Sequence, residues 1–230
     1  GGCAYLEDFA PAEAAEALRA AAASLVPKLK QETGSYAKGR VGTRLHGAPL
    51  ERALAALASP EAEAHVSALV GEKVAAEDAR IFPVDLRVYR GGASMGWHKD
   101  ELLYDRPHYE LVYTLWNSTD SRTLWRPPGA TGKGVESAAT RPNSAIVLRA
   151  GDGGADHCVT ETTRGERAII KLCFRPDGAA RSANFYGCAD QQTSGNKACL
   201  SAKQLEALVE GGARGHERAG GGKRGKARRR

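Results

Sequence analysis

The stretch GWHKDELLYD places His98 and Asp100 two residues apart. On an extended segment such residues point to the same side of the backbone, so the two side chains can converge on one ion while Lys99 faces away. A His-x-Asp pair arises easily by chance, and a third ligand is what would make it a metal site. Two histidines and one carboxylate on one face leave coordination positions open. That set suits non-haem Fe(II), which must hold protein, cosubstrate and O₂ together. The stretch GDGGADHCVTETTRGERAIIKLCF supplies His157 after a glycine-rich turn and just before a β-rich run. His46 in a turn, His65 on a helix, His108 in a loop and His216 in the tail are poorer candidates.

An anionic cosubstrate needs a cation deep in the fold. Arg167 follows His157 by ten residues at the start of a strand, where a guanidinium can hold a carboxylate through two hydrogen bonds. Lys171, four residues further along the same strand face, is the alternative. Tyr89 and Tyr113 are candidates to give the cosubstrate a hydroxyl, although a strand tyrosine is more often core. Trp97 is expected in the core and Cys158 as a small buried residue.

The elements that would carry these residues differ along the chain. In FAPAEAAEALRAAAASLVPKL, apolar residues recur at helical spacing from Leu18 to Leu29, with Pro11 at the first helical position and Pro27 at the end. PLERALAALASPEAEAHVSALVG reads as two short helices, the second capped by Ser59, opened by Pro60 and closed by Gly71. The amino-terminal third is therefore expected to be mostly helical. From Ile81 onward, VDLRVYR, ELVYTLW, RTLWR, SAIVLRA and RAIIKLCF are short runs rich in β-branched and aromatic residues. Five strands with helices packed outside fit a sandwich or jelly roll, an α+β chain with a mainly β core. The turn-rich RPPGATGKGVESAATRPNS is long enough to serve as a lid. SAKQLEALVEGG reads as a short helix with a capping box.

With 230 residues, 42% hydrophobic and 26% charged, the chain fits one globular domain, and no apolar run is long enough to span a bilayer. The net charge of +6 is uneven: residues 211–230 carry eight Lys/Arg against one Glu, or +7, leaving 25 against 26, or −1, elsewhere. That Gly-rich end is expected to be disordered, and it could meet nucleic-acid phosphates or address the protein to the nucleus. Cys3, Cys158, Cys173, Cys188 and Cys199 form no CxxC pair, which argues against a cysteine zinc site and favours a reducing, intracellular compartment. The chain begins without methionine, so any targeting segment is out of view.

The ordered set His98, Asp100, His157 and Arg167 resembles the Fe(II)/2-oxoglutarate-dependent dioxygenases, in particular the prolyl-4-hydroxylase-like branch. YLEDFAPAEAAEALRAAA is similar to the helical lead-in of that branch, LRVYRGGASMGWHKD to its approach to the His-x-Asp, and HCVTETTRGERAIIKLCF to its distal histidine and last core strand. The resemblance implies a double-stranded β-helix over 1–176, with a helical lead-in at 5–75 and the β core at 81–176. An extension at 177–210 and the tail at 211–230 follow. It also implies iron held by His98, Asp100 and His157, with 2-oxoglutarate salt-bridged by Arg167 and ascorbate as a further cofactor candidate. The reaction would hydroxylate a C–H bond of a protein or peptide substrate, with release of succinate and CO₂. The branch often has Gly-Gly-Glu-Thr where this chain has SRTLWRPPG, and its cosubstrate tyrosine falls at Leu115. Three other readings stand beside this one: an oxygenase acting on nucleic acid, zinc hydrolase or cupin chemistry on the same three ligands, and a metal-free β-sandwich binding module.

Overall fold

The protein is described here by a computed structural model covering residues 2–32, 36–130 and 134–185. The expected carboxy-terminal helix and the basic tail lie outside the described residues, and so do Cys188, Cys199 and His216.

Among the described residues, three α-helices form where the periodicity places them: α1 (Ala12–Ala23), α2 (Ala48–Leu57) and α3 (Pro60–Val70). Pro11 is the residue that precedes α1 rather than its first member, and Pro27 lies in a 3₁₀ turn after it. Ser59 caps α3 by accepting a hydrogen bond from the Ala62 amide at 3.2 Å, and Gly71 ends it in the left-handed conformation. No helix among the described residues is long and apolar enough to cross a membrane.

Among the described residues, thirteen strands form two sheets. They are β1 (Cys3–Leu6), β2 (Lys30–Gln31), β3 (Ala37–Lys38), β4 (Val41–Arg44), β5 (Val74–Ala76), β6 (Asp85–Tyr89), β7 (Ser94–His98), β8 (Tyr109–Asn117), β9 (Thr123–Arg126), β10 (Glu136–Ala138), β11 (Ser144–Arg149), β12 (Asp156–Val159) and β13 (Arg167–Pro176). The larger sheet runs β1-β11-β8-β13-β6-β4-β2, with β5 joined to β13, and the smaller runs β10-β9-β12-β7-β3. All the pairings are antiparallel.

The five anticipated strands are β6, β8, β9, β11 and β13. The others lack a comparable apolar β-branched run and are two to five residues long, and several form through distant pairings, as Cys3 does with Leu148. The amino-terminal third is consequently a mixture of helices and strands rather than mostly helical. Part of the connection between Arg126 and Ser144 forms β10, zipped onto β9.

Strand alternation divides the larger sheet into two faces. On β13, Ala168, Ile170, Leu172 and Phe174 join the main apolar cluster with Leu18, Leu57 and Val66 of the three helices, each large member contributing about 1.5–3 kcal/mol by burial. Arg167, Ile169, Lys171 and Cys173 alternate onto the opposite face, which looks toward the smaller sheet. The chemistry lies between the sheets.

Candidate metal centre

A β-bulge builds the centre. Across β12 and β7, His157 pairs with His98 and Val159 with Met95, so Gly96 and Trp97 together oppose Cys158. The extra residue reverses the alternation. Met95 packs inward with Tyr89, Val159 and Ile169, and His98 also turns inward, its ring 4.1 Å from that of His157 between centroids. Trp97 is displaced outward. It is 37% exposed and lies under the Arg126 guanidinium, 4.0 Å from the ring centroid, which corrects its expected place in the core.

Both imidazoles are oriented from behind. His98 Nδ1 lies 2.9 Å from the Gly96 carbonyl and His157 Nδ1 3.2 Å from the Ala155 carbonyl. A carbonyl only accepts, so each Nδ1 carries the proton and each Nε2 keeps its lone pair for a ligand. Burial, and then the neighbouring His157, lower the His98 pKa to about 4, so the ring is neutral at ordinary pH and no proton competes with a cation there.

Asp100 completes the set: one ligand atom from each of His98, Asp100 and His157 lies within 4.8 Å of the other two. The two carboxylate oxygens differ. Oδ1 accepts from Lys171 Nζ at 3.2 Å. Oδ2 is buried without a hydrogen-bond partner, 3.7 Å from His157 Nε2. A buried carboxylate oxygen without a donor is costly, and a divalent cation between it and two imidazole nitrogens would remove that cost. The donor set fits Fe(II) among first-row ions. Burial, and then the Glu110 charge, raise the Asp100 pKa against the opposing pull of Lys171 and His157.

The two candidate anchors have different surroundings. Arg167 is 1% exposed and donates from Nη1 to Thr123 Oγ1 at 2.9 Å. Its Nε has no partner, no carboxylate pairs with it among the described residues, and burial lowers its pKa. Lys171, by contrast, is already engaged by Asp100 and by Glu110, which it contacts directly. Binding a cosubstrate through Lys171 would require breaking both buried ion pairs.

Tyr89 is buried between two cations, its ring centroid 5.6 Å from the Arg40 guanidinium carbon and 5.8 Å from that of Arg167. Its hydroxyl accepts from Arg40 at 3.1 Å. Tyr113 is a correction: it lies on the helix-facing side of β8, packs against Phe9 and donates to Asn143 Oδ1 at 2.9 Å, so its hydroxyl points away from the site. Leu115 shares that face. Cys158 is buried, as its small size suggested. Sequence reasoning missed Glu110 and Thr123. The one available signal for Glu110 was a carboxylate inside the apolar run YELVYTLW.

No family model matches the chain, and no curated protein matches it. Solved structures do. A prolyl-4-hydroxylase from Pseudomonas putida is 19% identical with a TM-score of 0.58, over 77% of this chain and 94% of that one. An oxidoreductase of the 2OG-Fe(II) oxygenase family from Burkholderia pseudomallei is 14% identical with a TM-score of 0.61, over 78% and 88%. A prolyl hydroxylase from Trichoplax adhaerens, in complex with a hypoxia inducible factor oxygen degradation domain peptide fragment, is 13% identical with a TM-score of 0.56, over 76% and 84%. At such identities the likeness is one of fold, and the chain folds as a double-stranded β-helix similar to theirs.

Proposed function

We propose that the chain is an Fe(II)- and 2-oxoglutarate-dependent oxygenase that hydroxylates a C–H bond of a protein or peptide substrate, with a prolyl residue as the first candidate. The observation that carries this reading is the convergence of His98, Asp100 and His157, with the buried Oδ2 of Asp100 facing the His157 nitrogen and lacking a hydrogen-bond donor. The uncompensated Arg167 supports the cosubstrate, since a buried guanidinium without a carboxylate is matched by a dicarboxylic acid. The peptide complex of the Trichoplax adhaerens neighbour supports the substrate class.

When bound, Fe(II) would couple oxidative decarboxylation of 2-oxoglutarate to oxygen insertion, releasing succinate and CO₂. The chain's own contribution is positional. His98 and His157 would offer Nε2, held by the main-chain carbonyls of Gly96 and Ala155, and Asp100 would offer Oδ2. Arg167 would take the distal carboxylate beside the Thr123 hydroxyl. Tyr89, Met95, Val159 and Ile169 pack together as an apolar cluster, which would limit water beside a bound cosubstrate.

The test is an anaerobic titration of the full chain with Fe(II) and then 2-oxoglutarate, followed in the visible for the weak metal-to-cosubstrate charge-transfer band. Oxygen is then admitted and succinate measured with a peptide library. A band, and succinate that depends on both additions, are expected. Metal uptake without any band would reassign the three ligands to hydrolytic chemistry on a bound water.

A further inference from the structure

The polar groups behind Asp100 have no part in the roles assigned so far. Glu110 stands on the inner face of β8, 4% exposed, with Cys173 of β13 as its register partner. Lys171, two residues before Cys173 on the same face, reaches both acids: its Nζ lies 3.2 Å from Asp100 Oδ1 and in direct contact with Glu110. A second buried carboxylate is thus held immediately behind a set of three ligands. Carboxylate oxygen is a good donor to the same hard or borderline ions. If Glu110 reached the ion as a fourth protein ligand, it would occupy one of the positions a chelating cosubstrate and O₂ require.

Resting on the oxygenase reading above, we infer that Lys171 is a positioning residue that selects which groups reach the ion. It occupies Oδ1 of Asp100, leaving Oδ2 to the metal, and it withholds Glu110 from the coordination sphere. Oδ2 is the oxygen that lacks a donor and faces His157 Nε2. Oδ1 and the Glu110 carboxylate are the two groups the ammonium engages. The arrangement assigns distinct tasks to the two basic residues of β13: Arg167, with no carboxylate to release, is open to the cosubstrate, and Lys171 keeps the ligand number at three.

The test is an anaerobic calorimetric titration of the full chain with Co(II) and then 2-oxoglutarate, on the parent, Lys171→Met, Lys171→Arg and the double variant Lys171→Met/Glu110→Gln. In Lys171→Met, Co(II) is expected to bind about 10-fold more tightly and 2-oxoglutarate about 10-fold more weakly, the scale on which groups behind a ligand act. A crystal structure of that variant with Co(II) is expected to show a Glu110 oxygen bonded to the ion. The double variant and Lys171→Arg are expected to return both affinities to near the parent values. A purely structural role for Lys171 would weaken Co(II) binding, with no recovery in the double variant. Unchanged or weaker Co(II) binding in Lys171→Met, with Glu110 away from the ion, would overturn the inference. Failure of the parent to bind Co(II) would instead overturn the metal reading itself. If Lys171→Met does not fold, Lys171→Gln, which also removes the charge, takes its place with the same expected results.

Discussion

His157 and His98 are register partners across β12 and β7, and the bulge on β7 turns the His98 ring to meet that of His157. An ion gripped there ties the two strands together. Divalent metal at 100 times its Kd should therefore stabilise the fold by about 2.7 kcal/mol, seen as a rise in Tm that a chelator reverses. Asp100→Asn keeps the side chain's shape and removes its charge, so the metal-dependent rise should disappear. A full rise in that variant would place the ion elsewhere.

Arg167 is buried at 1% exposure, and no carboxylate pairs with it among the described residues. Replacing a buried, unpaired guanidinium with an apolar chain of similar length removes a desolvation cost, so Arg167→Met should stabilise the ligand-free protein by about 1–2 kcal/mol in urea unfolding. The same change should raise the KM for 2-oxoglutarate about 30-fold, equivalent to about 2 kcal/mol for a lost buried charge pair. A variant that loses stability while keeping its KM would show that Arg167 is a structural residue.

Glu77 lies away from the centre, its side chain 3% exposed and paired with Arg181 at 2.7 Å, and it accepts from the Tyr104 hydroxyl at 2.6 Å. Burial alone would raise its pKa, but Arg181 and Tyr104 hold it below the ordinary glutamate value. A carboxyl depressed in the folded state contributes stability that is complete above its unfolded pKa and is lost as pH falls through the folded one. Glu77→Gln should therefore cost about 2 kcal/mol at pH 7, and the gap from the parent should close as the medium becomes more acid than the unfolded glutamate pKa of about 4.3. Urea midpoints across that range check both the size and the sign.

Gly165 brings the chain into β13 with a positive φ of 75°, and a Cβ there would lie 2.3 Å from the Ser118 carbonyl oxygen. Gly165→Ala should cost about 1–3 kcal/mol. Because Arg167 begins two residues later, the variant should also raise the KM for 2-oxoglutarate more than it lowers kcat. Equal effects on both would mean that the strand start tolerates the shift.

Features with a local cause were legible from the amino-acid order. The helix over 60–70 follows from Ser59, Pro60 and Gly71, whose cap, ring and positive φ act within a few residues. The five anticipated strands follow from their own β-branched and aromatic runs, and the order His98, Asp100, His157, Arg167 nominated the residues of the candidate site. Everything that depends on a partner far along the chain was settled by folding. The bulge that turns His98 inward and Trp97 outward exists only because β7 meets β12. Lys171 and Arg167 stand four apart on one strand face and look equivalent in sequence. Glu110 reaches across from β8 to occupy one of them and leaves the other without a carboxylate. Strand pairing sets which charge is already satisfied, and a charge's function follows from what its neighbours leave unsatisfied.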